Sequence, residues 1–178
     1  MGIHNEEGFQ RLQTDLRGLV HEMLLQLLDE KDTDRSYVKI NSSDTTVLLI
    51  NNLGGVSALE MGYITDEVCS QLHSTYAINP IRTLAGTYMS SLNGLGFSIS
   101  ILKTPDVRLQ SGETMIDLLD ATAEAIGWPA TVRPDSWKIS ASERQSSRKT
   151  IESNTRSSGL RCKYFNQALC LSHILTFV

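Results

Sequence analysis

Cysteine, positive charge and long apolar runs are all scarce in this sequence of 178 residues, and each scarcity excludes a class of protein. The cysteines, Cys69, Cys162 and Cys170, are odd in number and lack metal-type spacing, which argues against a disulfide framework and a zinc site. With 16 lysines and arginines against 20 aspartates and glutamates, the chain offers no broad basic field to nucleic acid or anionic lipid. We therefore expect no nucleic-acid partner and no membrane partner.

The chain also lacks an apolar run of the roughly 20 residues that span a bilayer, and it lacks the basic start and apolar run of a secretory signal. Together with the few cysteines, this predicts a cytoplasmic protein in a reducing compartment. An apolar fraction of 40% over 178 residues is enough to bury the core of about one globular domain.

Apolar periodicity predicts alternating helices and strands. Helical spacing predicts a first helix with an apolar stripe of Leu16, Leu19, Val20, Met23, Leu24, Leu27 and Leu28. A strand, a helix and a strand in that order imply a parallel crossover and an α/β fold, with a mixed sheet flanked by helices. Short apolar runs predict strands at 37–40, 45–51, 78–89 and 96–103, and further helices are predicted at 57–76 and 113–126.

The turn "NNLGGVS" follows the apolar strand 45–51, which we expect to be buried on both faces. Ser57 can cap the next helix, and glycines before a helix N-terminus can present backbone amides to an anion. Because GxGxxG spacing and a Walker lysine are lacking, a turn shaped only for close packing is the alternative. The residues that tolerate the positive φ of a tight turn are Asn51, Asn52, Gly54 and Gly55.

The segment "SSLNGLG" joins the last two predicted strands. We expect its glycines to allow a turn between two buried strands, and Ser90 and Ser91 to satisfy backbone groups. A role in shaping a ligand pocket is the functional alternative.

The histidines have no partners at metal-ligand spacing, so His21, His73 and His173 are interpreted as surface or helix-face residues. His4 differs because Glu6 and Glu7 follow it closely and could orient its ring. By itself this arrangement is equally typical of a solvated chain start.

From Pro129 onward the chain is rich in serine and arginine and poor in apolar residues, which predicts a mobile segment. The last stretch, "CKYFNQALCLSHILTFV", is apolar but short. It is either an element packed on the domain or a poorly ordered tail, since length and propensity do not separate the two.

Four blocks, in this order and spacing, resemble the dihydroxyacetone kinase (glycerone kinase) family, in particular its fungal single-chain type. The resemblance covers residues 1–130 and implies the second α/β lobe of the family's dihydroxyacetone-binding domain. Residues 131–178 are then a divergent tail. The blocks are "MGIHNEEG", "VLLINNLGGVSALEMG", "RTLAGTYMSSLNGLGFSISIL" and "LLDATAEAIGW".

The resemblance assigns catalysis and substrate binding to His4. In the family, the histidine of this Gly-Ile-His motif attacks the ketone of dihydroxyacetone through a ring nitrogen and forms a covalent hemiaminal. Only a carbonyl can accept this nucleophile, so covalency selects dihydroxyacetone over glycerol. Glu7 stands where the family has proline, whose loss should loosen the loop that aims His4.

The implied reaction is the ATP-dependent phosphorylation of dihydroxyacetone in glycerol catabolism, with Mg²⁺ bridging the phosphates of ATP. The family's first lobe and ATP domain have no counterpart in these blocks, so we expect a fragment that is inactive alone. Glyceraldehyde is a second candidate substrate, and a homodimer is a candidate assembly. The alternative function is a non-catalytic scaffold that binds a partner through the edge on which the first lobe would pack.

Overall fold

The computed structural model describes residues 12–32, 38–105, 107–128 and 137. The chain divides into two compact units, of which the first includes residues 1–107 and the second residues 108–168. The predictions made for His4, His173, Cys162, Cys170 and the C-terminal tail lie outside the described residues.

The first unit alternates helices and strands as its apolar pattern predicts. The second unit, over its described part, contains one short helix. The elements in chain order are α1 (Leu16–Leu28), β1 (Thr46–Asn52), α2 (Ala58–Tyr76), β2 (Arg82–Gly86), β3 (Phe97–Lys103) and, in the second unit, α3 (Met115–Asp120).

The sheet of the first unit has the strand order β2-β1-β3. β1 runs parallel to β2, with Leu49 beside Leu84, and antiparallel to β3, with Leu49 beside Ser100. The β1–α2–β2 connection is therefore the predicted parallel crossover. The mixed sheet flanked by helices is confirmed, and β1 is buried on both faces, as its continuous apolar run predicts.

The core lies between the helices and one face of the sheet. Leu48 and Ile50 of β1 are fully buried there, together with apolar side chains of both helices. The predicted stripe of α1 lies in or against this core, with Val20 and Leu24 fully buried. The side-chain amide of Gln71 donates to the carbonyl of Arg17 at 2.8 Å and so ties α2 to α1.

Helix boundaries follow from capping side chains. Asp15 caps α1 by accepting a hydrogen bond from the amide of Gly18. Ser57 caps α2 as predicted: its hydroxyl accepts from the amide of Glu60, whose carboxylate accepts in return from the Ser57 amide at 2.9 Å. The Ser57 hydroxyl also donates to this carboxylate, at 2.7 Å. The bonds from the Ser57 hydroxyl and amide stabilise the charged carboxylate and so lower the pKa of Glu60.

Three predicted elements differ from the structure. Residues 38–40 are not a strand; Ile40 packs on the core, but Val38 is 47% exposed, so the run lacks a consistently buried face. β2 spans Arg82–Gly86 instead of the predicted 78–89, and none of its residues is buried, so it is not the buried strand that was expected. α3 ends at Asp120 instead of continuing to 126, and none of its residues is buried, so no packing extends it.

Candidate functional site

Two loops meet at the edge of the sheet where β1 and β2 end. The β1–α2 loop spans residues 53–57, and the β2–β3 loop spans residues 87–96. Because β1 and β2 are parallel, both loops leave the same edge. In open α/β sheets this carboxyl edge is where ligands bind, so we take the loop pair as the candidate functional site.

Asn51 fastens the β2–β3 loop to the central strand. Its side-chain oxygen accepts hydrogen bonds from the amides of Tyr88 and Met89, both at 2.9 Å. Its side-chain nitrogen donates to the carbonyl of Met89 at 2.8 Å. Asn51 is only 4% exposed, so water competes little for these hydrogen bonds.

Asn52 makes the same set of bonds to the β1–α2 loop. Its side-chain oxygen accepts from the amides of Gly54, at 2.8 Å, and Val56, at 3.2 Å. Its side-chain nitrogen donates to the carbonyl of Val56 at 2.7 Å. Neighbouring residues of a strand face opposite sides of the sheet. The two asparagines therefore hold one loop each, from opposite faces of β1.

A side-chain amide provides both an acceptor and a donor on one planar group. An aspartate at either position would accept the two amide hydrogen bonds, but it would place a carboxylate oxygen against a backbone carbonyl oxygen. An apolar residue would leave all three backbone groups without these partners.

Backbone hydrogen bonds join the two loops directly. The Gly55 amide donates to the Gly94 carbonyl at 3.0 Å, and the Ser91 amide donates to the Leu53 carbonyl at 2.9 Å. A further bridge pairs Gly54 with Gly94. The loop pair is therefore one hydrogen-bonded unit at the end of β1.

The β1–α2 turn is a packing turn and not an anion cradle. Each backbone amide from Leu53 to Ser57 donates within the chain: Leu53 to Gly96, Gly55 to Gly94, Gly54 and Val56 to Asn52, and Ser57 to Glu60. These amides are already satisfied, and a carboxylate already lies at the start of α2. Of the four residues predicted to tolerate positive φ, only Gly54 adopts it, at 120°.

The β2–β3 loop turns through different residues from those predicted. The residues with positive φ are Leu92, at 47°, and Asn93, at 54°, and not the glycines. At Gly94 the loop approaches the β1–α2 loop so closely that a Cβ on Gly55 would lie 2.9 Å from the Gly94 carbonyl oxygen. The bond from Ser91 to Leu53 uses the backbone amide of Ser91, so the role predicted for the Ser90 and Ser91 side chains stays a prediction. Non-glycine residues in the left-handed region are held there by the surrounding bonds.

Tyr88 is the second residue of this loop and packs its ring edge near Gly86, where a Cβ would lie 3.5 Å from the ring. Its backbone amide is one of the two that Asn51 holds. Partial burial raises the pKa of the Tyr88 hydroxyl.

The described histidines lie on helix surfaces. His21 is exposed on α1, and His73, exposed on α2, contacts the Asn79 side-chain oxygen at 2.7 Å. Both agree with the interpretation as helix-face residues. Over the described ranges, no three histidine, cysteine, aspartate or glutamate side chains cluster closely enough to hold a metal ion.

The comparisons with known proteins explain the order of the sequence blocks. Residues 1–127 match the family model described as the Dak1 domain. The chain belongs to the Dak1 domain family. It is 42% identical over 139 residues to a dihydroxyacetone kinase of Pichia angusta and 44% identical over 138 residues to dihydroxyacetone kinase 1 of Saccharomyces cerevisiae. These alignments cover 77% and 72% of this chain.

A more distant relative is the human protein named triokinase/FMN cyclase, which is 31% identical over 129 residues. The chain spans only 21% to 24% of the length of these three curated relatives. The Dak1 match confirms the resemblance drawn from the four blocks. It also includes His4, which lies outside the described residues.

The double asparagine is the feature that sequence reasoning missed. Asn51 and Asn52 were expected to supply turn conformations, whereas both are extended residues of β1 whose side chains hold the loops. The available signal was the position itself: two amides at the end of a buried apolar strand, where polar residues require hydrogen-bond partners.

Proposed function

We propose that this chain takes part in dihydroxyacetone kinase activity by binding dihydroxyacetone. The observation that carries the proposal is the Dak1 match over residues 1–127, together with 42% and 44% identity to two fungal proteins named dihydroxyacetone kinase. The loop pair at the carboxyl edge of the sheet supports it, because this edge is the usual ligand site of an α/β fold.

His4 is the proposed nucleophile. The lone pair of a neutral imidazole nitrogen attacks the ketone carbon and forms a C–N bond. The carbonyl electron pair moves to oxygen, which takes up a proton as the imidazole loses the one on its other nitrogen. The hemiaminal therefore contains every atom of both reactants, and its formation needs no oxidant or reductant.

ATP and Mg²⁺ are the proposed co-substrate and metal of the complete kinase. The described residues do not fit either group: the amides of the β1–α2 turn are engaged, and no acidic cluster is present among them. We therefore propose that the described residues serve the ketone and not the nucleotide.

The finer proposals are glycerol catabolism as the context, the cytoplasm as the location, glyceraldehyde as a second substrate and a homodimer as the assembly. The name triokinase, given to the human relative, is consistent with a triose as the substrate class. Among the described helices, none combines the length and apolar character needed to cross a bilayer.

A scaffold role is the second candidate, and one observation favours it. Leu92 is fully exposed at the tip of the β2–β3 loop, and Met89 of the same loop is more than half exposed. Exposed apolar side chains close together are typical of a surface that contacts another protein.

The test uses carbon NMR on the full chain with dihydroxyacetone labelled at its carbonyl carbon. Hemiaminal formation converts that carbon from a ketone to a saturated centre, which moves its signal far upfield. We expect this signal with the wild-type chain and with His21→Ala, which removes an exposed histidine of α1. We expect its loss in His4→Ala.

A second experiment measures the kinase reaction. Residues 1–127 of this chain replace the matching segment of Saccharomyces cerevisiae dihydroxyacetone kinase 1, and ATP-dependent phosphorylation of dihydroxyacetone is assayed. We expect activity that His4→Ala abolishes and His21→Ala retains. A chimera that folds but is equally active with and without His4 contradicts the proposed role of this residue and favours the scaffold.

A further inference from the structure

We propose that Asn51 is a positioning residue for dihydroxyacetone, acting through the β2–β3 loop that it fastens to β1. This inference rests on the proposed function. The inference adds a second part to the proposed binding site, which is formed by the β2–β3 loop and is remote in sequence from His4.

The first argument is that Asn51 is unfavourable for the fold alone. Asparagine is depleted in strands, and burying its amide is costly unless every group is paired. An apolar residue at this buried position would need no hydrogen-bond partners. The three hydrogen bonds of Asn51 go entirely to Tyr88 and Met89, so what the residue provides is a fixed loop.

The second argument is the strain in that loop. Leu92 and Asn93 are consecutive residues with positive φ, a conformation that costs leucine free energy and that asparagine adopts more readily. Strained backbone persists where surrounding bonds determine it, and it is concentrated at binding sites. Here those bonds come from Asn51 at the start of the loop and from the β1–α2 loop at its end.

The third argument is the chemistry that the loop exposes. Thr87, Ser90 and Asn93 are all exposed and carry hydroxyl or amide groups. Dihydroxyacetone has two hydroxyls and a carbonyl, which such groups bind by hydrogen bonding. Holding them in one geometry before binding reduces the entropy lost when the triose binds.

The test compares Asn51→Asp with Val68→Ala in the full chain. Asn51→Asp retains the acceptor but loses the donor to the Met89 carbonyl, whereas Val68→Ala truncates a fully buried side chain of α2. The dissociation constant of carbonyl-labelled dihydroxyacetone is measured by carbon NMR, at a temperature where all variants are folded. Backbone amide spectra record whether the signals of Tyr88 and Met89 shift on binding.

We expect Asn51→Asp to bind the triose roughly tenfold more weakly, as loss of one buried hydrogen bond suggests. Val68→Ala is destabilised but should bind like the wild type. Should Asn51→Asp fail to fold, Asn51→Ser, which retains a donor and an acceptor, replaces it with the same expectation of weaker binding.

Wild-type affinity in the folded Asn51 variant, or equal weakening in Val68→Ala, overturns the inference and leaves the proposed function intact. Absence of the upfield signal in the wild-type chain overturns the proposed function and this inference with it. If the upfield signal still depends on His4 while the Asn51 substitution leaves the affinity unchanged, the proposed function stands and this inference fails.

Discussion

The amide nitrogen of Gly55 lies 3.0 Å from the carbonyl oxygen of Gly94, so two loops from different parts of the chain touch through their backbones. A Cβ at Gly55 would lie 2.5 Å from the Asn93 carbonyl oxygen and 2.9 Å from that of Gly94. The contact therefore requires glycine at position 55 for steric reasons, and it makes the loop pair sensitive to a single methyl group.

Gly55→Ala should lower the free energy of unfolding by about 1–3 kcal/mol, because the added methyl meets backbone atoms that cannot rotate away. Gly62→Ala is the matched control, since nothing lies within 4 Å of a Cβ at that position of α2. There alanine should raise the free energy of unfolding by about 0.4–1 kcal/mol. Urea unfolding followed by circular dichroism measures both, and equal effects of the two changes would contradict the steric argument.

Thr46→Val should raise the free energy of unfolding by about 1 kcal/mol, because the Thr46 hydroxyl is buried without a hydrogen-bond partner. Thr104→Val makes the same chemical change where the hydroxyl donates to the Thr45 carbonyl at 3.0 Å. In that variant the free energy of unfolding should instead fall by about 1 kcal/mol. Calorimetric melting of both variants tests the contrast, which fails if both change stability in the same direction.

Leu92→Asn should raise the free energy of unfolding by about 0.5–1 kcal/mol. Asparagine tolerates the left-handed conformation that leucine adopts here at φ 47°, and the exposed leucine contributes little packing. Leu95→Asn serves as control, because Leu95 lies in the same loop without positive φ. Chemical denaturation of both variants should show a higher free energy of unfolding for Leu92→Asn alone.

The stability contributed by the charged form of Glu60 should be lost in acid. Hydrogen bonds from Ser57 lower the pKa of Glu60 in the folded chain, so protons bind more tightly to the unfolded chain. This stabilisation is complete above the unfolded pKa and disappears as the pH falls through the lower folded pKa. Glu60→Gln keeps the helix cap but cannot ionise.

Melting temperatures of the wild type and Glu60→Gln, measured across this acid range, test the prediction. The advantage of the wild type should be present near neutral pH and shrink as the pH is lowered. A difference that stays constant with pH would show that the charge of Glu60 contributes nothing.

Much of the fold was predictable because it follows from local patterns. The stripe from Leu16 to Leu28 predicts α1, and the continuous apolar run of β1 predicts a strand buried on both faces. Ser57, as a capping residue, predicts the start of α2. The predictions failed where burial determines whether an element forms. Residues 38–40 form no strand, and α3 ends where no packing extends it.

The candidate site was predictable only in its location. A glycine-rich turn after a buried strand marks the carboxyl edge of the sheet, but whether its amides face a ligand or their own chain depends on partners elsewhere. Those partners are residues such as Gly94 and Gly96, about forty positions away. No local sequence pattern indicates a hydrogen bond between residues so far apart in the chain.

The sequence by itself determined the helix and strand order, the buried central strand, the cap of α2 and the family, because each depends on residues within one segment or on short blocks. Only the tertiary structure decided that Asn51 and Asn52 hold separate loops, that Gly55 meets Gly94, and that the turn's amides are already satisfied. These facts depend on sheet pairing, which brings distant backbone groups within hydrogen-bond distance of one another.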